Sequence, residues 1–239
     1  MAEAAPFTPR PLVEGIWVAE GPHLPDGRIP IPVRMTVVRL SDGGLWLHSP
    51  IDAMPGLVAS VRALGEVRHL VAPNAVHLSW LPDWQKAFPE AKAWGAPGAP
   101  ARARRKGLAV HWEPDLTDEA PPNWRGDLEQ MVVRGSPVHK ETVFLHRASR
   151  TLILTDLIEN LEPRRLPVWL GVLARVGGVA DPDGKAPPHL RAAFLDRRAL
   201  RASVERLIGW APERVVIAHG RIYEANGTAE LRRAFRWVL

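Results

Sequence analysis

The feature that most constrains the fold of this chain is an internal repeat of one strand-turn-strand pattern. In the first half, Thr36–Leu40 and Leu45–Ser49 flank a Gly-rich turn, and in the second half Thr142–His146 and Thr151–Asp156 flank a polar turn. Apolar and β-branched residues on both sides of a short polar turn are typical of a β-hairpin. Because self-similarity at this scale marks a repeated structural unit, the chain is predicted to be built from two related halves.

The segments after the two hairpins are also alike. Leu57–Leu64 has the pattern of a short helix and Val67–Val71 that of a buried strand, while Leu190–Trp210 has apolar residues at helical spacing and Arg214–Ile217 forms the matching strand. Continuous apolar strands are covered on both faces, so helices are expected outside two packed sheets. The predicted fold class is therefore α/β, a four-layer αββα sandwich of two mixed β-sheets with the hairpins related by approximate two-fold symmetry.

The other segments fit one domain spanning residues 1–239. Gly15–Ala19 and Leu128–Arg134 are predicted strands, Glu230–Leu239 is a predicted closing helix, and Pro97–Asn123 is predicted to be a long surface excursion. A chain of 239 residues is long enough for one large core and short for two ordinary domains.

Composition limits the chemistry and the partners. The chain has no cysteine, so any metal must be held by His, Asp, Glu or Asn side chains. The Arg-rich run within 102–106 suits a solvated loop better than a nucleic-acid site, because aromatic residues are not interleaved with the charges. No apolar run has the length of a membrane span and Met1–Pro11 lacks signal-peptide features, so we expect a cytoplasmic location and no membrane partner.

Several segments together carry a family resemblance. The repeated hairpin-helix-strand order and the late Ala218-His219-Gly220 resemble the metallo-β-lactamase superfamily, over roughly Gly15 to Gly220. More narrowly, Arg34–Leu40, Ala72–Asn74 and Ser149–Asp156 resemble a family of that clan known only as a domain of unknown function. The resemblance implies one or two divalent metals, held by an H-x-H-x-D-H loop, a later His, a bridging Asp and a final His.

The loop motif is largely eroded in this sequence. If His77 takes the last His of the loop, then Asn74, Val76 and Ala72 stand where the second His, the Asp and the first His would be. The resemblance therefore implies one metal ion or none. Zinc is the first candidate, with iron or manganese as alternatives.

The remaining ligand positions survive better. Asp156 matches the bridging carboxylate and His219 the final His, while either His139 or Glu141 fills the middle position. The resemblance thus implies that His77, Asp156, His219 and one of those two hold a single ion.

Each of these residues also has a structural alternative. His219 can cap its strand end, Asp156 can be the N-cap of a helix beginning at Leu157, and His77 can pack against the apolar Leu78–Leu81. Three further histidines lie inside predicted strands, where a structural role is expected: His48, His69 and His146.

The leading functional hypothesis is a hydrolase that acts on a small ester, lactone or phosphoester through one metal ion. In it Asn74 polarises or orients the substrate and Asp156 acts at the reacting centre. The alternative is a non-catalytic protein of the same fold that has lost its metal site and binds a small molecule or a protein partner.

Overall fold

The computed structural model describes residues 8–21 and 30–239, which fall into two compact units. The first comprises residues up to Leu116 together with Pro122–Asp127, and the second comprises Thr117–Pro121 and Leu128–Leu239. The expectation that no signal peptide is present rests partly on residues 1–7, which lie outside the described residues. That the whole chain is one domain stays a prediction.

The first unit contains a six-stranded mixed sheet in the order β1-β2-β3-β4-β5-β6. Neighbours from β1 to β4 are antiparallel, whereas β4, β5 and β6 are parallel. Its strands are β1 (Arg10–Val13), β2 (Ile16–Gly21), β3 (Val33–Arg39), β4 (Leu45–His48), β5 (Val67–Ala72) and β6 (Lys92–Gly95). Its helices are α1 (Pro55–Leu64), α2 (Leu81–Ala87) and α3 (Ala99–Arg105).

The second unit contains a four-stranded mixed sheet in the order β10-β9-β8-β7. Here β10 and β9 are parallel, and the other neighbours are antiparallel. Its strands are β7 (Leu128–Val133), β8 (Glu141–His146), β9 (Thr151–Ile153) and β10 (Arg214–Val216). Its helical segments are a 3-10 turn (Pro163–Arg165), α4 (Val168–Gly177), α5 (Pro188–Ala193), α6 (Arg197–Gly209) and α7 (Gly227–Ala234).

Both predicted hairpins are confirmed as antiparallel pairs, with Thr36 opposite His48 and His146 opposite Thr151. In each unit the second hairpin strand then pairs in parallel with the strand that comes after the helical crossover. Every residue of β4, β8 and β9 is buried, as expected of strands covered on both faces. The repeat of topology is therefore real, while the two-fold relation between the hairpins stays a prediction.

The predicted helix Leu190–Trp210 is wrong in one respect, because it is broken into α5 and α6. The Asp196 backbone N–H donates to the Gly135 carbonyl, and its carboxylate accepts the Ala199 N–H as the N-cap of α6. The closing helix α7 begins at Gly227 and ends at Ala234.

The excursion Pro97–Asn123 is more ordered than predicted, because it contains α3 and the buried Leu116.

Candidate functional site

One edge of the second sheet gathers three of the predicted site residues. Strands β9 and β10 run in parallel, so their carboxyl ends lead at the same edge into Asp156 and His219. Strand β8 is antiparallel to β9, so its first residue, Glu141, lies at this edge too. The β8–β9 register, continued by three residues, places Glu141 opposite Asp156.

Asp156 and His219 lie in direct contact. An Asp156 carboxylate oxygen, Oδ1, lies 3.2 Å from His219 Nε2, and the two side chains are 16% and 5% exposed. Two ligand atoms bound at about 2.0 Å to one tetrahedral ion would be separated by about 3.3 Å. The observed distance therefore suits both an ion pair and two neighbouring ligands of one cation.

The glycine of the Ala-His-Gly segment fixes where His219 can lie. Gly220 has a φ of 92°, and a Cβ there would come within 2.0 Å of the Asn160 carbonyl oxygen. The backbone N–H of Asn160 donates to the His219 carbonyl. Only glycine accommodates both this backbone conformation and the close approach to the Asn160 backbone. Gly220 therefore allows the end of β10 to pack against the segment that comes after Asp156.

His139 and Glu141 form a second pair beside Asp156. His139 Nε2 lies 3.2 Å from Glu141 Oε2, and the His139 ring contacts Phe194 edge to face. Burial by itself would lower the pKa of His139, but the hydrogen bond to Glu141 and the charges of Glu141 and Asp156 outweigh it and raise the pKa. His139, Glu141 and Asp156 each offer a ligand atom within 4.8 Å of the others.

Glu141 is completely buried, and its carboxylate accepts three hydrogen bonds. Oε1 accepts the Thr155 backbone N–H at 2.7 Å, while Oε2 accepts the Asp156 backbone N–H at 3.0 Å in addition to the His139 contact. These three hydrogen bonds satisfy the buried carboxylate. Through them, Glu141 fixes the backbone at Asp156 and orients the His139 ring.

A further carboxyl group, that of Glu159, lies near Asp156 and His219 and was not among the predicted site residues. Burial raises the pKa of Glu159 to about 7, an effect that the nearby His219 opposes and Asp156 reinforces. A carboxyl that titrates near neutral pH can both hold and release a proton under ordinary conditions. The sequence contains no signal for it, because the shift arises from tertiary burial.

The alternative in which Asp156 caps a helix is wrong. Residues 156–157 form a turn, and Glu159 and Asn160 then bridge to Lys185 and Gly220. Asn160, fully buried, donates to Asp181 and to the Arg221 carbonyl, which anchors this segment in an extended form.

Asn74 and His77 lie in the first unit, in the loop after β5. The Asn74 side-chain oxygen accepts the backbone N–H groups of Val76 at 2.8 Å and His77 at 2.9 Å, which closes a turn. His77 Nδ1 lies 2.7 Å from the Ser49 hydroxyl, and the ring is buried. Asn74 thus shapes the loop that holds His77. That Asn74 and His77 act at the same ion as Asp156 and His219 stays a prediction.

The histidines expected in strands lie there and are buried. His69 accepts a hydrogen bond from the Trp94 indole at 3.2 Å, and His146 bonds the Ser149 hydroxyl at 2.8 Å. His48 stacks on Trp46. These contacts suit structural roles in the two sheets.

Solved structures similar to this chain share one fold. The metallo-β-lactamase DIM-1 exposed to ceftazidime aligns with a TM-score of 0.69 at 11% identity, over 99% of this chain and 100% of its own. The metallo-β-lactamase FIM-1 from Pseudomonas aeruginosa, in its mono-zinc form, aligns with a TM-score of 0.65 at 13% identity, over 98% of this chain and 95% of its own.

A third neighbour is a longer protein. Rubredoxin oxygen:oxidoreductase from Desulfovibrio gigas aligns with a TM-score of 0.67 at 13% identity over 97% of this chain, which spans 61% of that protein. Among curated proteins, none matches this sequence. At these low sequence identities, the structural similarity shows a shared fold and nothing about activity.

The fold is therefore the predicted α/β class of the metallo-β-lactamases, with two mixed sheets. Within the described residues, no helix is both long and apolar enough to cross a membrane. The family model described as a domain of unknown function, DUF4336, matches residues 16–174. This chain belongs to the DUF4336 family of metallo-β-lactamase-fold proteins.

Proposed function

We propose that this chain is a metal-dependent hydrolase that uses one divalent ion to cleave a small ester, lactone or phosphoester. The observation that carries the proposal is the contact between Asp156 and His219, with His139 and Glu141 converging on the same aspartate. This concentration of imidazole and carboxylate groups at one sheet edge is the donor set that zinc, iron and manganese use in proteins.

The charges of these residues support a cation at this edge. Glu141 and Asp156 bring two carboxylates together, and Glu159 adds a third whose pKa of about 7 leaves it partly protonated at neutral pH. Buried carboxylates need a compensating positive charge. A divalent ion would supply that charge, and histidine binds such ions through a neutral imidazole.

In this proposal Asp156 and His219 hold the ion, and His77 is the third ligand implied by the sequence. Glu141 is a positioning residue, because its carboxylate already accepts three hydrogen bonds. These residues would offer one carboxylate and two imidazoles, a ligand set of the kind found in catalytic zinc sites. A divalent ion held there would supply the Lewis-acid chemistry that hydrolysis needs.

The protein's own side chains provide for proton movement. His139 is held at Nε2 by Glu141, which fixes the ring and directs Nδ1 away from that carboxylate. We assign His139 to proton transfer rather than to metal binding. Glu159 is a second group able to hold or release a proton near neutral pH.

Metal binding is the first test. Elemental analysis of protein purified without a metal-affinity tag should find at most one ion per chain, at partial occupancy. Calorimetric titration with zinc should show one site, weakened more than about tenfold in His219→Ala and Asp156→Asn. The exposed His189→Ala is the matched control and should bind zinc normally. Two tight ions per chain, or unchanged binding in His219→Ala, would contradict the ligand assignment.

Hydrolysis is the second test. We expect zinc-dependent turnover of a p-nitrophenyl ester, a lactone or a p-nitrophenyl phosphate that a chelator abolishes. His77→Ala should weaken zinc binding, whereas His139→Ala should keep it and lower kcat. Zinc binding without turnover of any of the three substrates would favour the alternative of a non-catalytic protein.

A further inference from the structure

Helix α4 (Val168–Gly177) leaves an apolar face uncovered in the second unit. Five of its large apolar side chains are exposed, by between 51% and 84%. They are Val168, Trp169, Val172, Leu173 and Val176. Three of the five are valines, which a helix disfavours slightly and which gain nothing from exposure to water. A surface of this composition marks a contact with another apolar phase.

The five side chains form one stripe. At about 100° per residue they fall within an arc of about 140°, between Val168 on one side and Leu173 on the other. Leu170, Gly171 and Ala174 lie on the opposite side of the helix and are buried. The helix is therefore covered along one face and presents a continuous apolar face on the other.

Positive charge frames this face. The segment 163–178 contains three arginines and no acidic residue. Arg164 and Arg165 are exposed just before the helix, and Arg175 is exposed in its last turn, next to the edge of the stripe. Arg165 pairs with Glu162, while among residues 8–21 and 30–239 no ion pair joins Arg164 or Arg175 to an acidic side chain.

We propose that α4 docks this protein on an anionic lipid bilayer surface, with the apolar stripe inserted at the level of the headgroups. Valine and leucine side chains would enter the acyl boundary, and Trp169 would lie at the interface that tryptophan favours. The flanking arginines would contact lipid phosphates. The inference is independent of the proposed hydrolase activity.

A second copy of the chain fits this face less well. Two such helices packed face to face in antiparallel fashion would bring Arg175 of each against Arg164 and Arg165 of the other. In a parallel arrangement each arginine would meet its own equivalent. Both arrangements oppose like charges at the rim of the contact, whereas an anionic membrane neutralises them.

Docking of α4 on a bilayer surface would overturn the expectation of no membrane partner. That expectation rested on the absence of an apolar run long enough to span a bilayer, whereas a surface helix needs only one apolar face. Val168–Gly177 contains only ten residues, too few to span.

Vesicle co-sedimentation tests the proposal. The full chain is mixed with vesicles of phosphatidylcholine alone or with phosphatidylglycerol added, with and without a chelator. We expect binding to the anionic vesicles, weaker binding to the neutral ones and no effect of the chelator. Trp169→Glu/Leu173→Glu should reduce binding more than about tenfold, and Arg164→Glu/Arg165→Glu should remove the preference for anionic vesicles.

The matched control is Ala59→Glu/Ala63→Glu, which adds the same two charges to exposed positions of α1 and should bind as the natural chain does. Circular dichroism establishes that each variant is folded. Equal binding of the α4 variant and the control, or equal binding to neutral and anionic vesicles, would overturn the proposal. So would a dimer in sedimentation analysis that the α4 variant dissociates and that binds no vesicles.

Discussion

Acidification should destabilise the first unit through protonation of His69. Its ring is buried beneath Trp94 and Trp124, with Nδ1 accepting the Trp94 indole N–H. Burial lowers the pKa of His69 to about 4 from 6.5; Asp42 opposes this effect, whereas Lys92 and Arg68 reinforce it. The unfolded chain binds this proton below pH 6.5, but the folded chain does so only near pH 4. Protonation therefore favours unfolding as the pH falls through this window.

The size of the effect is set by the difference between the two pKa values. At about 1.4 kcal/mol per unit, the free energy of unfolding should fall by about 3 kcal/mol in total, with about 2.5 kcal/mol of this loss complete by pH 4.5. No stability is lost through His69 well above pH 6.5, because its ring is neutral in both the folded and the unfolded chain.

Urea denaturation followed by circular dichroism at pH 7.5, 6.0, 5.0 and 4.5 measures this. Carboxylates also titrate in this range, so the relevant quantity is the difference in pH dependence between the natural chain and His69→Gln. We expect the variant to be less stable at pH 7.5, because it loses the contact with Trp94, but to lose about 2.5 kcal/mol less between pH 7.5 and 4.5. The exposed His189→Gln is the control. Parallel stability curves for the natural chain and His69→Gln would refute the reasoning.

Two further predictions concern the second unit. Gly220→Ala should lower the free energy of unfolding by more than about 2 kcal/mol and weaken zinc binding, because the added Cβ would meet the Asn160 carbonyl. The control is Gly209→Ala, which adds a Cβ in open space and should change neither stability nor zinc binding appreciably. Thermal denaturation and calorimetry measure the two effects. Glu141→Gln should cost about 1–3 kcal/mol in urea denaturation, since an amide cannot accept all three buried hydrogen bonds, whereas the exposed Glu205→Gln should change little. Wild-type stability in either site variant would show that the close approach or the buried carboxylate is unimportant.

Periodicity predicted the strands of both hairpins and the strands that pair with them in parallel, because these segments are continuous apolar runs bounded by turns. It missed the break between α5 and α6. Apolar spacing continues through Phe194, and the break is imposed by the contact of Asp196 with Gly135, which is distant in sequence. Helix α4 was missed as well, since its exposed apolar face resembles neither a core helix nor a polar surface helix.

The sequence by itself determined the fold class and the chemical types at the candidate site. Apolar strand patterns require burial on both faces, and polar residues after Leu154 and Ala218 indicated which strand ends carry Asp156 and His219. Tertiary structure alone decided what surrounds these groups. The three bonds to Glu141, the pKa of Glu159 and the close approach at Gly220 depend on segments brought together across the sheet. Hydrogen bonding and desolvation act over a few ångströms in space, so residue order along the chain does not reveal them.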